Sequence, residues 1–181
     1  MLRLKSITAP AAGGSTAIPQ HKEKPMKRKL VFALTLCAFI VLLHGLAFAV
    51  PGTVATSWTH YPQHDVSILT VSWVGGTVGD AGTVPATVLP AFQGWVFQFI
   101  TDPGATAPTT LYDIILPDAD GLDVAGATLM NRSATVTERA MPLIATSTYG
   151  AWWVDSALTF TLTNNSVASS SGTLKIYIKR K

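Results

Sequence analysis

The hydrophobic positions of this chain fall into two regimes. From Leu30 to Leu43 they run together as LVFALTLCAFIVLL, fourteen residues without a charge. Beyond Val50 they alternate with polar residues instead. Leu69, Val71 and Trp73 interleave with Thr70 and Ser72; Leu158, Phe160 and Leu162 with Thr159, Thr161 and Thr163; Leu174, Ile176 and Ile178 with Lys175, Tyr177 and Lys179. A period of two sends successive side chains to opposite faces of a strand, so each segment reads as a strand with one buried and one solvated face.

The pattern predicts strands over 66–74 and 92–101, the second placing Trp95, Phe97 and Phe99 on one face as a core seed. Between them, GGTVGDAGTVPATVLP is too rich in Gly and Pro for a helix and reads as a long loop with a short strand at Thr87 to Leu89. A central strand from Leu111 turns Tyr112, Ile114 and Leu116 inward and Asp113 outward. Pro117, with no N–H to donate, ends it. Asp118-Ala119-Asp120-Gly121 makes a turn, Leu122 to Met130 reads as the return strand and Asn131 to Met141 as a weaker one. Pro142 to Gly150 is loop-like. Trp152 and Trp153 are neighbours on a strand and must face opposite ways, so one indole is exposed or covered by a loop. The last two strands, joined by a Ser/Asn-rich connection over 164–172, read as a terminal antiparallel hairpin. Together these features select an all-β fold, an antiparallel two-sheet β-sandwich of immunoglobulin-like or jelly-roll type.

The N-terminal region has a different grammar. Lys27-Arg28-Lys29 precedes the apolar run, Gly45 interrupts it, and Ala47-Phe48-Ala49 supplies small residues two apart. That is the layout of a secretory signal peptide cut after Ala49; left uncut, the segment is an N-terminal anchor helix, although a bilayer needs about 20 apolar residues. The organisation expected is a disordered leader over 1–25, with Met26 as the natural start of the signal, a signal or anchor helix over 26–49, an extended lead-in over 50–65 and the β-domain over 66–181. Export sends the domain to the periplasm, the extracellular space or the cell surface.

Charge sharpens this division. Seven basic residues and one acid precede Val50; from Val50 onward six basic residues face nine acidic ones, so the β-domain is mildly acidic. The basic leader therefore gives no footing for nucleic-acid binding, and membrane contact is expected only through an uncleaved N-terminal segment. Cys37 is the single cysteine and lies in the apolar run, which leaves the exported part without disulfides, cysteine nucleophiles or thiolate metal sites.

Candidate chemistry is sparse. Asp118, Asp120 and Asp123 around Gly121 resemble a truncated calcium loop, since Ca²⁺ takes several oxygen ligands and the loop needs a sharp bend; the alternative is that Asp-Gly is simply good turn chemistry. His60 and His64 could pair on a helix, but Pro62 between them argues against one. No Gly-x-Ser-x-Gly elbow, phosphate-cradling glycine loop or His-Glu zinc motif occurs. Asn131-Arg132-Ser133 and Asn164-Asn165-Ser166 match the glycosylation sequon. The aromatics Trp58, Tyr61, Trp95, Tyr149, Trp152 and Trp153 could include a platform for stacking sugar rings.

From about Gly94 onward the succession WVFQFITDPG, APTTLYDIILPDADGLDV, NRSATVTERAMP, ALTFTLTNNS and GTLKIYIKR resembles small structural proteins of tailed bacteriophages and prophages. The resemblance is carried by strand and turn words and brings no catalytic residues. It implies a non-enzymatic virion or capsid-decoration component that works through self-assembly or protein partners. The alternative from the residues themselves is an exported cell-surface binding module, for glycan or calcium-dependent adhesion.

Overall fold

The computed structural model describes residues 49–180. The leader expected over 1–25 and, Ala49 apart, the signal segment over 26–49 lie outside the described residues. Within them the chain is all-β, with eleven strands and one 3-10 turn. The strands are β1 (Thr53–Tyr61), β2 (Val66–Val74), β3 (Thr87–Val88), β4 (Gly94–Pro103), β5 (Asp113–Ile115), β6 (Glu138–Ala140), β7 (Leu143–Ala145), β8 (Thr148–Tyr149), β9 (Trp152–Val154), β10 (Thr159–Thr163) and β11 (Ser171–Lys179).

The largest sheet runs β1-β2-β11-β4, and the outer edge of β4 is shared by β9 and β6. A three-stranded sheet runs β3-β10-β5, and β7 pairs with β8 alone. Every pairing is antiparallel. The alternation read from the sequence fixes which faces are dry: Leu69, Val71 and Trp73 of β2 lie in register with Ile176, Leu174 and Gly172 of β11. They share one hydrophobic core with Val96 and Phe99 of β4, Ile114 of β5, and Phe160 and Leu162 of β10. At about 25 cal/mol per Å² of apolar surface removed from water, this shared core is the main stabilising element of a domain without disulfides.

Several expectations are corrected. The stretch over 50–65 is no lead-in, because Thr53 to Tyr61 pairs with β2 through all nine residues; the β-domain begins at β1 rather than at Val66. Its Thr-rich sequence disguised a strand because most of it is exposed, as befits an edge. The connection to β2 is tight: Pro62–His64 forms the 3-10 turn and Asp65 adopts the left-handed conformation, φ 53°.

The last two strands form no hairpin. β10 joins β3 and β5, whereas β11 lies between β2 and β4 in the other sheet, so the connection passes from one sheet to the other. Asn165 ties that crossing down. Its Nδ2 donates to Gly82 O (2.9 Å) and Ser170 Oγ (2.8 Å), and its Oδ1 accepts the Thr109 N–H (3.1 Å).

Leu122 to Met130 is a run of turns rather than a return strand, with Gly126 and Ala127 at φ 62° and 64°. Pairing with the preceding strand is reduced to isolated bridges, Pro117 with Asp123 and Tyr112 with Arg132, and single bonds such as Ile114 N–H to Leu129 O (3.0 Å). Of 131–141 only β6 is a strand, and the loop over 142–150 contains the β7–β8 hairpin. In β4 a bulge opposite Tyr177 and Ile178 breaks the alternation. Phe99 therefore enters the core, Phe97 packs edge-on against Tyr177, and Trp95 stays 45% exposed; the three aromatics do not share a face.

Candidate functional site

The acidic stretch after β5 is built from its own hydrogen bonds. Asp118 Oδ1 accepts the N–H groups of Asp120 (3.0 Å) and Leu122 (2.9 Å), closing the turn around Gly121, whose φ of 81° suits a residue without a Cβ. Asp123 Oδ1 accepts from Leu116 N–H (3.0 Å) and Ala125 N–H (3.2 Å), and its Oδ2 accepts from Ala127 N–H (2.7 Å). The Asp120 side chain is exposed. Among the described residues no three His, Cys, Asp or Glu side chains gather as a group that could hold a metal ion, and Asp118, Asp120 and Asp123 are no exception. Two of the three carboxylates serve backbone donors that would otherwise lack partners.

Asp113 is the reverse of what its strand position suggests. Expected on the wet face, it is only 4% exposed. One carboxylate oxygen accepts the Asn131 N–H (2.6 Å) and the other the Asn164 side-chain amide. Both asparagines sit at positive φ, 55° and 57°, so a single buried carboxylate clamps two left-handed loop residues over the end of β5. These are the asparagines of the two sequons, and the amide of Asn164 is engaged with Asp113 rather than free. Beside Asp113, Tyr112 is fully buried next to Trp73, ring centroids 5.8 Å apart. Burial pushes the Tyr112 phenol up to about 12, outweighing its hydrogen bond with the Thr101 side chain, which pulls the other way.

The aromatic residues divide. Trp152 packs against the core, whereas its neighbour Trp153 is 37% exposed, as strand geometry requires. Trp153 meets Trp95 edge-on across β9 and β4, at 5.4 Å between centroids. Tyr149 lines a separate cavity of about 760 Å³ beside β4 and β6, together with Arg139 and Met141. Trp58 and Trp153, far apart in sequence, come together in another cleft of about 780 Å³ with Phe92, His60, Asp155 and Arg180.

This cleft lies where the end of β1, the start of β4 and the ends of β9 and β11 meet. Ile178 forms part of its wall, and Gly94 lets the strands close against it: a Cβ there would come within 2.6 Å of Ile178 Cγ2. Trp58 lies nearly parallel to His60, 17° between planes at 5.7 Å, and edge-on to Phe92 at 6.0 Å. His60 Nδ1 shares a hydrogen bond with the buried Ser67 hydroxyl (2.9 Å), which leaves Nε2 to the cleft. His64, in the 3-10 turn, takes no part, so the two histidines form no pair of ligands. The Arg180 N–H donates to Asp65 O (2.7 Å), anchoring the lip to the β1–β2 turn. Chemically, the cleft offers flat apolar rings bordered by one anionic acceptor and several donors. Sequence reasoning named Trp58 and Trp153 but missed Phe92, Asp155 and Arg180; only the meeting of four strand ends brings them together.

Among the described residues no helix is long and apolar enough to cross a membrane. No protein-family model, curated protein or solved structure matches the chain.

Proposed function

We propose that the domain is a non-enzymatic assembly component, a two-sheet sandwich whose free edge strand pairs with a strand of a neighbouring molecule. One observation carries this reading. β1 ends the large sheet, and TVATSWTHY contains no Lys, Arg, Asp, Glu or Pro; its register with β2 runs from Thr53↔Val74 to Tyr61↔Val66 without a bulge. Exposed edges are templates for another chain, and native sheets usually blunt them with charge, proline, bulges or shortness. β1 uses none of these devices. Every second residue of an antiparallel edge strand turns its N–H and C=O outward, and among the described residues no further strand pairs with β1. At the opposite edge the sheet is broken into the three-residue strands β9 and β6.

The strand-and-turn resemblance to tailed-phage structural proteins supports the same reading, since virion parts repeat one subunit contact by symmetry. With the signal segment over 26–49 directing export, this is a virion-type or decoration-type domain used outside the cytoplasm, at the cell surface. Size-exclusion chromatography with light scattering on the full chain, in a non-glycosidic detergent, tests the proposal. The parent should run as a dimer or larger. Ser57→Lys, which adds a charge on the solvated face of β1, should shift it to monomer with an unchanged circular dichroism spectrum. A monomeric parent, or a Ser57→Lys protein of undiminished mass, contradicts the proposal.

A further inference from the structure

We propose that the cleft formed by Trp58, Phe92, Trp153, His60, Asp155 and Arg180 is a saccharide subsite that takes a pyranose ring of a neutral oligosaccharide. The inference goes beyond the assembly reading and stands apart from it, because it rests on cleft side chains and not on the free backbone of β1.

The chemistry of the cleft selects the ligand. A pyranose presents an apolar C–H face, which lies against aromatic rings, and a perimeter of hydroxyls, which need donors and acceptors around those rings. Trp58 and Trp153 supply the rings, Asp155 an acceptor, and Arg180 and His60 donors. Among the described residues neither Asp155 nor Arg180 is held in an ion pair. Other ligand classes fit less well. An apolar segment would cover a carboxylate and a guanidinium without partners; an anion would meet Asp155 and a cation Arg180. A hydroxyl donates and accepts at once and satisfies both.

Three of the side chains, His60, Trp58 and Trp153, are also held in place before any ligand arrives. Ser67 orients the His60 ring, Asp65 O fixes the Arg180 backbone, Trp95 buttresses Trp153 and Phe92 buttresses Trp58. Fixed side chains lower the ordering cost of binding, which matters for a weakly held sugar.

The test is titration of the full chain, in a non-glycosidic detergent, with cellohexaose, chitohexaose and mannohexaose, read by calorimetry and tryptophan fluorescence. At least one hexaose should bind saturably with a change in indole emission. Trp153→Ala and Asp155→Ala should each weaken it by roughly tenfold, about 1.4 kcal/mol, while Tyr149→Ala, in the other cavity, binds as the parent does. Circular dichroism checks folding; should Trp153→Ala unfold, the exposed Asp155 and Arg180 decide through Asp155→Ala and Arg180→Ala. The proposal is overturned if none of the three hexaoses binds saturably, or if a folded variant at any of these cleft positions binds as the parent does.

Discussion

Asp113 shows how one side chain can hold distant parts of a fold. Its buried carboxylate joins Asn131 and Asn164, each in the left-handed conformation that asparagine tolerates better than most residues other than glycine. Removing it takes away two charge-assisted hydrogen bonds, to the Asn131 N–H and the Asn164 amide, so Asp113→Ala should lower unfolding free energy by about 1–3 kcal/mol in urea titration. At Gly172 the constraint is steric: a Cβ would lie 2.6 Å from Cζ2 of Trp73, a ring only 1% exposed. Gly172→Ala should therefore cost about 1–3 kcal/mol through overpacking, read by the same titration. Tyr112 predicts a pH dependence. Because the folded state holds the phenolic proton to about 12 against 10.0 for the free group, its contribution is complete below pH 10 and is lost as pH rises between those values. Tyr112→Phe should remove that alkaline slope in stability–pH measurements.

At the level of elements, the legible parts were those whose signal is local. The alternation over 66–74 and 174–179 marks β2 and most of β11 because side-chain period depends on nothing beyond the strand itself. Partners are another matter. β10 and β11 look like hairpin mates from their spacing, yet each finds its ladder with strands far away in sequence, and the ties of Asn165 to Gly82 and Thr109 that hold the crossing are equally non-local. The apolar content of 122–130 suggested a strand, but Asp123 captures the N–H groups of Ala125 and Ala127 and bends the backbone into turns. Likewise the cleft draws Trp58, Phe92, Trp153 and Arg180 from separate elements, so composition could name aromatics but not which of them would meet. Since the Asp118 and Asp123 carboxylates already serve their own turns, neither calcium nor EDTA should move the melting temperature; a calcium-dependent rise would make this stretch a metal site.

The whole molecule sets an uncharged, unbroken nine-residue edge at one side of its large sheet and fragmented short strands at the other. That asymmetry suits a contact made in one direction, where the same strand meets its counterpart in a second molecule. Amide hydrogen exchange of β1 over a range of protein concentrations addresses this claim most directly. Alternate amides between Thr53 and Tyr61, those turned away from β2, should become protected as concentration rises and exchange freely on dilution. Free exchange of those amides at every concentration would contradict it.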